Sequence, residues 1–511
     1  MTGAHRQPRV GVVAALVVLL VAVAVAACGG SGTGSSTPSG RSGPAPGGTT
    51  LPALAPPAPI AWGPCPSGTL QCGTVSVPID YAHPGSGSIT LAVTRAPATG
   101  SAPPIGTLVM NPGGPGESGN ELLPVLLQKL PPTVPERFDV VSFDPRGTGA
   151  SDPLRCGTSA AGAASVDPLP ASSGQPLPGT PFFTTMARAC ETRTAATAPF
   201  VNTVDTARDM DRIRQALGLS AISYYGTSYG TVLGAVYADL FPHRVATMVL
   251  DGAVDVNASL VTQAEEEAPA LNQSLLHFFA TCRQQPACPL GPDPQAFFTS
   301  LAASLSRHPL PAPGHGDSAP VTVGDLDSAA LLVLSVPVFT PLLYAALVAA
   351  GHGNGAPLRT LSLTLATDTN GASLVDPLWA ITCNDAAVHP GPVAAGDLAR
   401  ALAARYPLTD GYSSTYTMGG CVSWPSARQP VTDLHPTGTP PILVIGNTGD
   451  PNTPYIGARH LAALFPDAHL VTWDGWGHTW LLTGSADPCM QRVVASYLTG
   501  QGLAPDGTVC P

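Results

Sequence analysis

Gly226-Thr-Ser-Tyr-Gly230 has the spacing G-x-S-x-G. Composition alone produces about 0.4 such matches in a chain of this kind, so the flanking sequence has to decide. Ala221–Tyr225 reads as a short apolar strand running into Gly226. Ser228–Leu240 reads as a helix with Val232, Leu233, Val236 and Leu240 along one face, ended by Pro242. A serine on a sharp strand-to-helix turn is a nucleophile rather than a simple capping residue. Small neighbours let strand and helix approach, and the helix N-terminus favours the negative charge that develops when a carbonyl is attacked.

Such a serine needs a base, and the base needs an orienting acid. On this turn the partners follow in the order acid, then histidine. Asp450 comes just after the apolar run Pro441–Ile445 and opens the turn Asp450-Pro-Asn-Thr-Pro454. Thr453 in that turn either hydrogen-bonds the carboxylate or caps the next helix. His478 ends the glycine loop Gly475-Trp-Gly-His478. His460 falls in a predicted helix and His469 in a predicted strand, so both compete poorly; Asp474 is the rival acid. The oxyanion requires backbone N–H donors. One is expected from Tyr229, directly after the nucleophile. The other is expected from the loop Asn111-Pro-Gly-Gly-Pro-Gly116, where Pro112 and Pro115 have no N–H and Gly114, or alternatively Gly113, does.

These residues need a scaffold. Thr107–Met110, Phe138–Phe143, Ala221–Tyr225 and Val245–Leu250 read as strands, with helices predicted over Thr203–Leu217 and Ser228–Leu240. This alternation implies an α/β architecture with a mostly parallel central sheet and helices on both faces. After Val254 the rhythm stops, and it resumes at Pro441–Ile445 and Ala468–Trp473, with helices expected over Tyr455–Phe465 and Pro488–Leu498. The predicted organisation is a first core segment at 61–254, an inserted, mainly helical cap at 255–430, and a C-terminal core segment at 431–511.

The 511 residues are enough for such a core, and 44% are apolar. With 22 basic against 33 acidic residues and no long basic run, nucleic acid is not an expected partner. Arg6 and Arg9 precede an unbroken apolar run, Val10–Ala27, that ends in Val-Ala-Ala before Cys28. A basic region, an apolar region and small residues before a cut make a secretory signal over 1–27. The cysteine resembles the lipidated residue of a bacterial lipobox; an uncleaved membrane anchor is the alternative. Either way the rest of the chain is expected outside the cytoplasm and tethered to a membrane surface. Residues 28–60, rich in Gly, Ser, Thr and Pro, read as a flexible spacer.

Setting Cys28 aside leaves ten cysteines, an even number that suggests disulfides in an exported chain. Their order offers five local pairs, Cys65–Cys72, Cys156–Cys190, Cys282–Cys288, Cys383–Cys421 and Cys489–Cys510, although spacing alone leaves the connectivity open. No C-x-x-C occurs, and no metal or cofactor is expected.

Taken together, Asn111–Gly116, Asp144–Ser151 (D-x-R-G-x-G-x-S), Gly226–Gly230, Asp450 and His478 resemble an α/β-hydrolase of the proline iminopeptidase group. Within it, the chain is similar to the secreted tripeptidyl aminopeptidase-like proteins of actinobacteria, several of them lipoproteins. Ile381-Thr-Cys-Asn-Asp385 also looks like that subfamily. Pro112 stands where the broader group has His. The resemblance covers residue 60 to the C-terminus. It implies a serine hydrolase that releases short peptides from free N-termini, with Asp144 and Arg146 shaping the loop beneath the site. Such an enzyme needs an anion for the substrate ammonium; Glu265, Glu266, Glu267 and Asp385 in the inserted segment are the candidates. A carboxylesterase or lipase with the same triad would need no such anion, and its substrates would be esters. A non-catalytic hydrolase fold would be expected to have lost a triad member.

Overall fold

The computed structural model describes residues 51–511, apart from Ser67, Ala171, Asp317, Ser318, Thr369 and Ser426. The expected signal segment, Cys28 and residues 28–50 of the spacer lie outside the described residues. Residues 51–60 do not behave as free spacer. Ala55 O accepts a hydrogen bond from Arg212 Nη2, the Ile60 N–H reaches Ala216 O, and Ile60 is buried. This stretch therefore rests on the helix Thr203–Ala216.

The strands are Gly63–Pro64 (β1), Gln71–Pro78 (β2), Ser88–Ala96 (β3), Gly106–Asn111 (β4), Phe138–Phe143 (β5), Ile222–Thr227 (β6), Val245–Asp251 (β7), Ile442–Gly449 (β8), Ala468–Trp476 (β9) and Thr508–Cys510 (β10). Among the described residues they form one sheet in the order β1-β2-β3-β5-β4-β6-β7-β8-β9-β10. From β5 to β10 every neighbouring pair is parallel; β1, β2 and β3 form an antiparallel extension at one edge. The burial of each strand explains its place. All six residues of β6 are buried, as a central strand covered on both faces requires, whereas Thr74–Val77 of β2 alternate exposed and buried, as an antiparallel edge with one wet face does. The strands before Thr107 and the short β10 were not expected from sequence, although Val75 and Val77 of β2 and Ile89, Leu91 and Val93 of β3 do recur at every second residue and mark one buried face.

Two apolar layers sandwich the sheet. Leu122 and Leu126 of the helix Gly119–Lys129 and Val494 of the helix Pro488–Leu498 pack on one face, with Met110, Val249 and Val471. Met210 and Ile213 of Thr203–Ala216 and Val232 and Val236 of Tyr229–Leu240 pack on the other.

Between β7 and β8 the chain forms a helical cap with a core of its own, built on Phe279, Phe298, Leu326 and Leu347. The first core segment does not run unbroken from 61 to 254, however. The helices Ala160–Ala164 and Thr180–Arg193, before β6, pack on the cap helix Ala356–Ala366 and the turn Gly419–Ser423. Phe183 meets the Trp379 ring edge-on, with centroids 5.5 Å apart. The cap is therefore assembled from two separate stretches. Among the described residues the disulfides are Cys65–Cys72, Cys156–Cys190, Cys282–Cys288, Cys383–Cys421 and Cys489–Cys510, each of these cysteines paired with its neighbour in sequence.

Candidate active site

Ser228 stands between β6 and the helix Tyr229–Leu240, with φ 59° and ψ −126°. A positive φ is rare for a serine and costs on the order of 1–3 kcal/mol, so the surroundings must hold it there. They do: the Ser228 N–H donates to Asp251 O at the end of β7, and Thr231 N and Oγ1 both donate to Ser228 O. The glycines are sterically required. A Cβ on Gly226 would lie 2.2 Å from Gly230 O, and one on Gly230 would lie 2.6 Å from Asn111 O.

Asp450 lies just past the end of β8 and is buried. Its carboxylate accepts from Asn452 N, Thr453 N, Thr453 Oγ1 and Thr479 N at 2.9–3.2 Å, and both oxygens lie 3.0 Å from His478 Nδ1. Thr453 Oγ1 is also 3.2 Å from that nitrogen. The helix Tyr455–Leu464 begins at Pro454 without a side-chain cap, so Thr453 supports the carboxylate rather than the helix. Asp474 is exposed and bonded to Thr448 Oγ1, away from this cluster.

With Nδ1 directed at Asp450, His478 presents Nε2. That atom and Ser228 Oγ are both buried, and neither has a hydrogen-bond partner. In a serine hydrolase these two atoms are the pair that would share a proton, and such catalytic hydrogen bonds are often long until substrate arrives. Gly252 binds the halves together: a Cβ there would meet Thr479 and Thr453, while its neighbour Asp251 receives the Ser228 N–H.

Asp251 is a site residue that sequence reasoning missed. Its buried carboxylate accepts from Trp480 N at 2.9 Å, Leu481 N at 2.8 Å and Tyr225 OH at 3.0 Å, and so anchors the turn that follows His478. Burial pushes its pKa up to about 6 against the opposing pull of those three donors.

The oxyanion loop narrows the expected donors. Gly113 and Gly114 both have positive φ, at 105° and 108°. The Gly113 N–H is committed to Asn111 Oδ1 at 3.0 Å, so Gly113 is removed as a donor. Its missing side chain matters instead: a Cβ there would sit 3.0 Å from Ser228 Cβ and 3.2 Å from Tyr229 N. The space beside the nucleophile exists because residue 113 is glycine. Of the expected donors, the Gly114 and Tyr229 N–H groups remain as candidates. The Tyr229 side chain is fixed from below: its OH lies 2.5 Å from Thr203 Oγ1, which donates to Asp385 Oδ2. Asp144 and Arg146 are buried beneath the loop. Asp144 accepts from Ser118 Oγ, Asn120 N and Ala150 N, and Arg146 pairs with Asp209.

The four expected amine anchors part company. Asp385 is withdrawn: it is wholly buried, spent on Thr203 N and Oγ1, and burial raises its pKa to about 8. Glu265 is exposed to solvent, and Glu266 faces Asp255 and His460, so neither serves. Glu267 points inward, is buried and accepts from Thr417 Oγ1 at 3.1 Å. Desolvation raises its pKa well above the usual range, and the neighbouring charges of Glu266 and Asp450 add to this.

A fifth acid, Glu117, went unnoticed in the sequence. It is 2% exposed, follows the oxyanion loop, and its Oε2 has no partner. It lines a cavity of about 80 Å³ between that loop and the cap, walled by Pro115, Leu378, Trp379, Tyr412 and Tyr416. Burial in this apolar setting raises its pKa strongly.

Residues 106–485 match the family model described as alpha/beta hydrolase fold. "Serine protease Hip1" of Mycobacterium tuberculosis is 33% identical over 482 residues, covering 88% of this chain and 91% of that protein. "Tripeptidyl aminopeptidase" of Streptomyces lividans is 31% identical over 469 residues, covering 86% and 84%. "Carboxylesterase B" of Mycobacterium tuberculosis is 31% identical over 458 residues, covering 86% of each.

Proposed function

The chain belongs to the alpha/beta hydrolase family, and from that premise we propose that it is a serine hydrolase cleaving short peptides from free N-termini. Ser228 attacks the scissile carbonyl while His478 Nε2 takes its proton. Asp450, with Thr453, orients the imidazole and stabilises its charged form. The N–H groups of Gly114 and Tyr229 hold the oxyanion. His478 returns the proton to the departing amine, and water then releases the acyl-enzyme.

One observation favours a peptide amine over a plain ester: the unpartnered Glu117 carboxyl, buried three residues from Gly114. A buried acid held neutral by desolvation regains its charge when an ammonium group enters. Glu267, on the cap helix Leu260–Gln284, is a second buried acid of the same kind. The apolar walls of the Glu117 cavity, and a relative named carboxylesterase, support the second reading, in which an ester acyl chain fills this space. The run before Cys28 supports export and a lipid anchor that would keep the enzyme at the outer membrane surface, facing peptides outside the cytoplasm.

The deciding assay compares a free-amine tripeptide anilide, its N-acetylated twin and a short-chain nitrophenyl ester, on wild type, Glu117→Gln and Glu267→Gln. The peptidase reading expects the free amine to be preferred, with KM rising about tenfold or more in Glu117→Gln while ester turnover is retained, as the loss of one charged contact implies. Ester cleavage without peptide cleavage would establish the second reading.

A further inference from the structure

Asp385 is withdrawn from substrate, yet it belongs to a hydrogen-bonded chain that ends at the residue after the nucleophile. Its Oδ1 accepts from Thr203 N at 2.7 Å and its Oδ2 from Thr203 Oγ1 at 2.5 Å. Thr203 Oγ1 in turn lies 2.5 Å from the Tyr229 hydroxyl. All three residues are fully buried. They come from three elements: Asp385 ends the cap helix Val375–Asp385, Thr203 opens the helix Thr203–Ala216, and Tyr229 opens the helix after Ser228.

The place of Asp385 is itself held from several sides. Asn384 Nδ2 donates to Ala198 O at 2.7 Å and to Val201 O at 2.9 Å, and Asn384 Oδ1 accepts from Trp424 Nε1 at 2.9 Å. Cys383 is bridged to Cys421, and Asp385 O accepts from Val431 N at 2.9 Å. A buried carboxyl is poor glue, because apolar residues of similar volume often hold a core as well. What a fully satisfied polar chain adds is a single fixed geometry.

The opposite end of the same helix meets the loop that carries the other oxyanion donor. Gly116, two residues after Gly114, has a φ of 99°, and a Cβ there would lie 3.1 Å from both Leu378 N and Pro377 Cβ. The helix Val375–Asp385 thus packs against the oxyanion loop near its start and holds Tyr229, through Thr203, at its end.

We propose that Asp385 is a positioning residue for the oxyanion hole, acting through Thr203 and the Tyr229 hydroxyl on the Tyr229 N–H. This role presupposes the Ser228 and Tyr229 assignments above and holds for peptide and ester substrates alike. The tyrosine side chain is a stiff lever with few rotatable bonds. Its hydroxyl is pinned at one end and its backbone follows the Ser228 turn at the other, so the N–H keeps one direction. Stabilisation of an oxyanion depends on donors already aimed at the place where charge develops. Cutting the chain leaves the donor present but less well aimed, so the loss is expected to be smaller than the roughly 10²–10³-fold of deleting a donor outright. Asp385 acts through two intervening hydroxyl groups and is not itself a reacting group.

The full chain is assayed as wild type, Thr203→Val, Thr203→Ser, Tyr229→Phe, Asp385→Ala and the Thr203→Val/Asp385→Ala double variant. The substrate is a short-chain nitrophenyl ester and the inhibitor is phenylboronic acid. A boronic acid adds to the serine hydroxyl as a tetrahedral adduct resembling the transition state, so its Ki reports on the oxyanion hole. Thr203→Val is expected to lower kcat about tenfold with KM unchanged and to raise the Ki by the same factor. Thr203→Ser, which keeps the hydroxyl, should return both to within about twofold of wild type. Tyr229→Phe and Asp385→Ala should match Thr203→Val, and the double variant should lose no more than either single one, because one chain is cut in each. Wild-type kcat and Ki in Thr203→Val, a fall in kcat without a rise in Ki, or additive losses in the double variant overturns the proposal. Should Asp385→Ala fail to fold, Tyr229→Phe, which removes the hydroxyl alone, decides by the same two readouts. Boronic-acid inhibition that survives in Ser228→Ala as tightly as in wild type would overturn the site assignment, and this role with it.

Discussion

The carboxylate of Asp251 accepts the backbone N–H of Trp480 at 2.9 Å. This bond ties the end of β7, which also receives the Ser228 N–H, to the turn two residues beyond His478. The proposed nucleophile and base are thus registered against each other by one buried acid that touches neither reacting atom. Asp251→Ala is expected to lower kcat for a nitrophenyl ester by about tenfold or more, the worth of one lost charge-assisted bond. KM is expected to change little. An unchanged kcat in a folded variant would show that the turn holds itself.

Ser228→Ala is expected to reduce turnover of every substrate by at least about 10⁴-fold, as removal of a triad nucleophile does. The circular dichroism spectrum and the melting curve should match wild type, because the N–H bond to Asp251 O remains. Substantial residual hydrolysis would dismiss Ser228 as the nucleophile.

Asp385 makes stability depend on pH. Burial raises its pKa from 3.8 to about 8, so the folded chain binds a proton there that the unfolded chain releases near pH 4. Its contribution is fully present below the unfolded value and is lost as pH rises through the folded one. Asp251, raised to about 6, acts in the same direction over the lower part of the window. The wild-type Tm is therefore expected to fall between roughly pH 4 and pH 8, and the fall should be shallower in Asp385→Asn. Parallel Tm profiles would refute the assignment.

The bridges should differ in worth. In the loop-entropy view, Cys383–Cys421, spanning 38 residues, contributes about 4 kcal/mol and Cys65–Cys72, spanning 7, about 2 kcal/mol. Replacing both cysteines of each pair by serine and measuring urea midpoints tests this. The larger loss is expected from the cap pair, and the reverse order would locate the stabilisation elsewhere.

The central strands and the elbow could be read from sequence because their demands are local. A positive φ at Ser228 flanked by close approach at Gly226 and Gly230 requires a pattern confined to five residues. Asp450 and His478 were readable because each follows a predicted strand. Glu117 was not, since its burial comes from Trp379 and Tyr416, far along the chain. Asp385 read as one of the acids available to hold a substrate amine, and its partner Thr203 lies 182 residues upstream. The helices Ala160–Ala164 and Thr180–Arg193 gave no sign of belonging to the cap, because what they pack on follows β7. Local spacing encodes strain and turn chemistry, whereas desolvation is decided by whichever segment arrives later.

The disulfide pattern has a consequence for how the chain matures. Each cysteine among the described residues is joined to its neighbour along the chain, and the widest bridge spans 38 residues. If the chain is exported with Cys28 lipidated, as proposed, an oxidant that couples the remaining thiols in their order of appearance would produce this set at the first attempt. No mixed disulfide would have to be undone, so folding in an oxidising compartment would require a thiol oxidase but no disulfide isomerase.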